Sequence, residues 1–169
     1  MLLPESVKLT EVGLRDGLQS VAKPISSKIK LNATQQLVDA GLKQIQVTSF
    51  VHPDWVPQMA DAEAVCVGLP EAEDVVFSGL VLNAKGVERA AAAGLKRVEA
   101  SISTSDTHSR KNANMSLDEA MVHLKKMVTL AHDSGIEARG GLQSVWGCVY
   151  DGYPSDERIT EMVSAVLDM

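Results

Sequence analysis

Apolar positions along this chain alternate between two rhythms. Short runs in which apolar or β-branched residues recur at every second position give way to longer stretches with apolar residues three and four apart, and the exchange happens five times. The period-2 runs predict strands at residues 8–12, 45–50, 75–82, 98–103 and 137–145. The longer stretches predict helices at 26–40, 61–68, 85–93, 116–133 and 156–169. In the first helix, Ser26 or Ser27 supplies the cap, and Ile29, Leu31, Ala33, Leu37 and Val38 form one apolar stripe. The fourth opens on Ser116-Leu117-Asp118-Glu119, a capping box. Residues 51–59 form a loop stiffened by Pro53 and Pro57, and residues 104–115 read as a polar loop.

Three helices end on a repeated phrase: Asp39-Ala40-Gly41-Leu42, Ala92-Ala93-Gly94-Leu95 and Asp133-Ser134-Gly135-Ile136. Each glycine is placed to take a left-handed conformation and turn the chain into the next strand. Strand and helix alternate without an Asn-Gly hairpin signal, which predicts an α/β protein with a parallel sheet and right-handed crossovers. Two architectures suit that. A doubly wound sheet would carry a Gly-x-Gly-x-x-Gly turn after its first strand, and none is present. Polar residues instead follow every strand: Arg15, Asp16, Gln19, Gln46, Thr48, Ser49, Asn83, Ser103, Ser105, Asp106, His108 and Gln143. A rim supplied by all strands is the habit of a TIM (β/α)8 barrel, which needs roughly 200 residues or more. Residues 1–169 therefore read as the amino-terminal portion of one barrel domain, with five of its βα units and the next strand due after Met169.

Composition narrows the setting. With 169 residues, 45% hydrophobic and 22% charged, the chain can bury one real core and is not disordered. A net charge of −6 without a Lys/Arg cluster argues against nucleic acid as a partner. Cys66 and Cys148 are far apart and lack metal-ligand spacing, which favours a reducing, cytoplasmic setting. The start at Met1-Leu2-Leu3-Pro4 does not read as a signal peptide, and no apolar run is long enough for a bilayer, so no membrane role is expected.

The chemistry concentrates where the first strand ends. In residues 7–19, VKLTEVGLRDGLQ, Gly13 and Gly17 bracket Arg15 and Asp16 at a strand's carboxyl end, where α/β proteins place ligands. Asp16 offers a hard oxygen ligand to a divalent cation, and Arg15 can stabilise charge on an oxyanion. An ion pair between two turn glycines is the alternative.

The run Glu11-Val12-Gly13-Leu14-Arg15-Asp16-Gly17-Leu18-Gln19, followed by Thr48-Ser49-Phe50-Val51-His52-Pro53 and Trp55-Val56-Pro57-Gln58-Met59, resembles the 3-hydroxy-3-methylglutaryl-CoA lyase family. The likeness continues through Arg110-Lys111-Asn112 and Gly147-Cys148-Val149-Tyr150-Asp151-Gly152, along all 169 residues. Behind it stands the superfamily of metal-dependent TIM-barrel lyases and Claisen-type synthases, the pyruvate carboxyltransferase-like domains. The resemblance implies a carbon–carbon lyase that cleaves a 3-hydroxy-3-methylglutaryl thioester to acetyl-CoA and acetoacetate, assisted by Mg²⁺ or Mn²⁺. It makes Asp16 a metal ligand and Arg15 the enolate stabiliser, with Gln46 beside it in the catalytic set. Substrate contacts fall to Gln19, Ser49, Ser103, Asn112 and Gln143. The partner implied is an acyl-CoA thioester.

Three departures matter. Gln46 stands where the lyases carry glutamate, keeping the hydrogen-bonding shape without the charge. Leu14 and Val149 replace prolines. The family's later metal ligands, a His-x-His pair and an asparagine, and its catalytic cysteine have no counterpart in this chain. His123 and His132 belong to the long helix and read as surface residues; His52 and His108 read as structural or substrate-contacting. Cys148 reads as a packed thiol near the site, Cys66 as core, and Trp55 and Met59 as packing residues. Ser105-Asp106-Thr107-His108 resembles the synthase branch, which would run the opposite condensation of acetyl-CoA with a 2-oxo acid. A reading of another class is a catalytically silent fragment or assembly module. It would have two open sheet edges, exposed apolar inner faces, and a tendency to form homo-oligomers or associate with a missing barrel half.

Overall fold

In the computed structural model, residues 4–169 are described. The reading of the chain start, so far as it concerns residues 1–3, lies outside them. Four strands pair in parallel in the order β1 (Gln44–Ser49), β2 (Val76–Leu80), β3 (Arg97–Ser103) and β4 (Glu137–Gln143). Six α-helices accompany them: α1 (Ser27–Asp39), α2 (Ala62–Val67), α3 (Ala84–Ala92), α4 (Asp106–Ala113), α5 (Leu117–Asp133) and α6 (Asp156–Leu167). No helix among the described residues is long and apolar enough to cross a membrane.

The three repeated glycines act as expected. Gly41, Gly94 and Gly135 take φ of 90°, 80° and 70°, and in each case the aliphatic residue that follows donates its amide back into the last helical turn. These bonds run from Leu42 to the Leu37 carbonyl, from Leu95 to Ala90 and from Ile136 to Ala131. The capping box of α5 forms in both directions between Ser116 and Glu119.

Two expected elements change. Residues 104–115 are not simply a polar loop. Ser105 accepts the His108 amide and caps α4, Asp106 pairs with Arg110 one turn later, and Asn114 in the left-handed region ends the helix. The expected first strand, residues 8–12, contracts to one parallel bridge. Glu11 donates to the Gln44 carbonyl at 2.9 Å and accepts from the Gln46 amide at 2.8 Å. Among the described residues it has only β1 to pair with, and the turn at Gly13 ends the ladder.

Consecutive parallel strands in sequence order, joined by right-handed crossovers, keep all connecting helices on one face. Ile45, Val47, Val98, Ala100 and Ile102 belong to the buried apolar core, together with Leu124, Met127 and Val128 of α5 and Val87 and Ala90 of α3. The sheet also curls. Laid flat, the residue 8–12 segment and β4 would lie about 19 Å apart, four strand spacings, yet Arg139 Nη1 of β4 donates to Thr10 Oγ1 at 3.0 Å. This is part of a TIM barrel wall.

The concave face departs from expectation because it is polar. Gln44, Gln46, Ser78, Arg97, Glu99, Glu137 and Arg139 bond to one another or to Thr10 and Arg15 across it, and Ser101 bonds to Gln143. Helix α1 also differs. Its buried residues are Lys30 and Thr34, while Ile29 of the expected stripe is 59% exposed. The cause is the segment facing α1, where Asp61 and the Gln58 carbonyl require a donor.

Candidate functional site

Arg15 and Asp16 sit on a single tight turn, Gly13–Gly17, wound so that the Val12 carbonyl accepts both of their amides, at 3.0 and 2.7 Å. The turn leaves the chain just beyond the Glu11 bridge and so stands at the carboxyl end of the sheet. Arg15 Nε donates to Gln46 Oε1 at 2.5 Å, and Arg15 Nη1 pairs with Asp16 Oδ1 at 2.6 Å. The guanidinium is mostly covered, with 18% of its side chain exposed, whereas Asp16 is 66% exposed. Gln46 is 1% exposed. The arrangement is a cation oriented by a buried neutral amide, with one carboxylate facing outward.

A shift in the strand register brings another residue to the same face. Gln46 pairs with Ser78, but Thr48 pairs with Gly79 and Ser49 with Leu80, so Val47 is the extra residue of a bulge. Without it, strict alternation would put Ser49 opposite to Gln46. With it, both share the concave face, while Thr48 turns outward to Met59 at 3.9 Å from its sulfur. Ser49 is fully buried and its hydroxyl has no hydrogen-bond partner; nor does the shielded Oε1 of Gln19. Both are shielded polar atoms without a partner, which buried polar groups seldom are.

The remaining expected site residues are spread along the rim. Gln143 Nε2 donates to Ser101 Oγ at 2.8 Å. Ser103, at the end of β3, accepts the Ser105 amide at 3.0 Å. Asn112 is exposed on α4 and is not drawn into the Arg15 cluster.

A second cluster was only partly legible in the sequence. Ser105 Oγ donates to Asp151 Oδ2 at 2.5 Å and accepts from Cys148 Sγ at 3.1 Å, and that sulfur takes the amides of Tyr150 and Asp151, both at 3.4 Å. The Ser105 hydroxyl first, which turns its proton from Asp151 to the sulfur when the thiol ionises, and then these amides hold the Cys148 thiol below its ordinary range. Asp151 is likewise held low, mainly by Ser105 and Thr107. Cys66 is in the core, as expected, and burial pushes its thiol up to about 12. The nearest sequence hint to the cluster was the Ser105-Asp106 pair, since the contact spans 46 residues.

The histidines fall where expected: His123 and His132 are exposed on α5, and His52 lies in the loop after β1. The His108 ring tilts against Tyr150 with centroids 6.5 Å apart. Met59 is buried, but Trp55 is 84% exposed at the tip of its loop, bonded through its amide to the His52 carbonyl rather than packed in the core.

A hard divalent cation takes about six oxygens or more. Asp16 supplies one carboxylate, already engaged by Arg15, and among the described residues no three His, Cys, Asp or Glu side chains converge to hold a metal. By themselves these residues do not fit a complete metal site.

Hydroxymethylglutaryl-CoA lyase (mitochondrial) of Macaca fascicularis is 37% identical over 167 residues, 99% of this chain and 51% of that protein. The cytoplasmic 3-hydroxy-3-methylglutaryl-CoA lyase of Danio rerio is 36% identical over 99% of this chain and 50% of its own. The crystal structure of the Bacillus subtilis HMG-CoA lyase superposes with a TM-score of 0.93 at 35% identity, over 99% of this chain and 56% of that one. An Acinetobacter baumannii HMG-CoA lyase, solved with coenzyme A and 3-methylmalate, gives 0.89 at 27% identity over 95% of this chain and 52% of its own. The chain thus spans about half the length of the relatives it matches. The HMGL-like family profile covers residues 6–169, and with that coverage the chain belongs to the HMGL-like family.

Proposed function

We propose that this chain is the amino-terminal portion of a lyase that cleaves a 3-hydroxy-3-methylglutaryl thioester to acetyl-CoA and acetoacetate. The observation that carries the reading is the covered Arg15 guanidinium, fixed by Gln46 at the carboxyl end of the sheet. In the cleavage, the tertiary hydroxyl loses its proton as the adjacent carbon–carbon bond breaks. That bond's electron pair moves onto the thioester as an enolate, and protonation of the enolate carbon gives acetyl-CoA. Arg15 stabilises the enolate oxygen, an oxyanion-type interaction. Gln46 orients Arg15; as an amide it is not the base. Ser49, Gln19, Ser103, Asn112 and Gln143 make up the substrate-contacting set, a reading that the unpartnered Ser49 and Gln19 oxygens support. Mg²⁺ or Mn²⁺ belongs to the proposal through Asp16, its other ligands coming from outside this chain. The acyl-CoA partner rests on family membership and on the coenzyme A named for the Acinetobacter relative. A cytoplasmic setting is also proposed, with both cytoplasmic and mitochondrial relatives known.

A second reading, the silent assembly module, is favoured by a specific observation: β4 pairs only with β3 among the described residues, leaving an edge. Such a chain would associate with itself or with a complementary barrel half. The two readings separate in one experiment. The chain is assayed for acetyl-CoA release from the thioester with Mn²⁺, alone and after co-expression with the carboxyl-terminal half of a family lyase. Release in the complemented sample supports the lyase; a stable complex that releases nothing supports the module. Thiol release from acetyl-CoA with a panel of 2-oxo acids would instead mark the synthase.

A further inference from the structure

Lys30 is 1% exposed, although it lies on a helix whose periodicity placed Ile29 inside. Its Nζ donates to the Gln58 carbonyl at 2.6 Å and to Asp61 Oδ1 at 2.5 Å, and Asp61 Oδ2 takes the Ser27 hydroxyl at 2.7 Å. Two part-buried acceptors on the segment after β1 therefore meet one amine from α1; an apolar side chain there would leave the Gln58 carbonyl without a donor and Asp61 with only the Ser27 hydroxyl.

The same segment reaches on towards the Arg-Asp-Gly turn. Gln58 Nε2 donates to the Val21 carbonyl at 2.7 Å. The stretch before Val21 is bonded chiefly to itself: Ser20 uses its amide and hydroxyl on the Gly17 carbonyl, and the Val21 amide returns to Leu18. Beyond Val21, residues 22–25 make no backbone–backbone hydrogen bond among the described residues. Leu14, buried in the core, and Leu18, packed against it, hold the turn itself, and the Gln58 amide anchors its exit.

We infer that Lys30 is a positioning residue for the turn that carries Arg15, acting through Gln58 and Asp61. The functional meaning of that turn rests on the proposed lyase reading, but the mechanical link does not. Lys30 fixes where the Gln58 backbone sits, the Gln58 side chain fixes Val21, and the short self-bonded stretch transmits that position to Arg15, six residues earlier.

The test is amide hydrogen exchange, read by mass spectrometry on the whole chain without substrate or metal. Gln58→Leu removes the bond to Val21 and keeps the Gln58 carbonyl and the Lys30–Asp61 pair. It should speed exchange of the hydrogen-bonded amides between Arg15 and Val21 about tenfold, the order expected for losing one local hydrogen bond, with residues 51–61 and β3 unchanged. Lys30→Met should speed exchange both of those amides and of residues 51–61 relative to β3. If both variants leave the Arg15 to Val21 amides at the wild-type rate relative to β3, the inference is overturned, even where Lys30→Met lowers the Tm. Should Lys30→Met fail to fold, Gln58→Leu alone decides. Absence of thioester cleavage would remove the lyase reading without touching this result.

Discussion

The two ends of the sheet are built from the same βα unit and come out differently. In β1, residues Ile45 to Ser49 are all buried, between the Glu11 bridge on one side and β2 on the other. In β4 no residue is buried, although its seven residues pair in full register with β3. Gln46 and Gln143, both inward-facing glutamines near their strand ends, show the contrast in one residue type: one is sealed beneath Arg15, the other is exposed. Strand burial here is decided by the neighbours on either side, not by the strand's own composition. The finished end of the wall is the end that carries the Arg15 site.

The widest gap should appear in catalysis. In the complemented enzyme, Arg15→Ala is expected to lower turnover of the hydroxymethylglutaryl thioester about 10²–10³-fold, the scale for losing one oxyanion donor. Gln143→Ala should cost less than about tenfold; equal losses would erase the distinction between the two ends. Stability should divide in the same direction. Ile45→Ala removes a fully buried side chain and should cost about 3 kcal/mol, while Leu142→Ala on half-buried β4 should cost about 1 kcal/mol, read from urea midpoints.

Thiol chemistry sharpens the comparison further. Cys66, behind β1, is pushed up to about 12 by burial, so it should resist iodoacetamide until the protein unfolds. Cys148, after β4, is held low by Ser105 and should alkylate in the native state, its rate rising with pH through a midpoint below that of an ordinary thiol. Ser105→Ala should move that midpoint up. Mass spectrometry that finds Cys66 labelled first would contradict both assignments.

The smallest effect is in acid. Glu63, held low first by its hydrogen bond from Arg89, and Asp151, held low by Ser105, both have folded values below their unfolded ones. Their contribution is therefore complete above the ordinary carboxylate range, about pH 4, and is lost as pH falls through the folded values. The urea midpoint should stay flat from neutral pH to about 5 and fall below about 4. Glu63→Gln should flatten part of that fall.

The parts of this architecture that local chemistry controls could be read from the letters. The three glycines, the Ser116–Glu119 box and the alternation of βα units act within a few residues of themselves, so their outcome needs no knowledge of the fold. Helix α4 could have been recognised from Ser105 followed by Asp106 and Arg110. Lys30 also left a trace: it shares helical spacing with Thr34, Leu37 and Val38, the i, i+4, i+7 pattern of an inward face. Its polarity masked it, because a lysine belongs inside only when acceptors wait there, and Gln58 and Asp61 lie 28 and 31 residues away.

By itself, the sequence determined most of the βα alternation, the helix ends at Gly41, Gly94 and Gly135, and the family, because caps, turn glycines and periodicity are short-range physics written in consecutive residues. Tertiary structure alone decided that Val47 bulges to bring Ser49 beside Gln46, that Arg15 leans on a glutamine 31 residues away, and that the inner face is polar. Those outcomes depend on which distant segments the curl of the sheet brings within hydrogen-bonding reach, and burial then selects the pairings that leave the fewest polar groups alone.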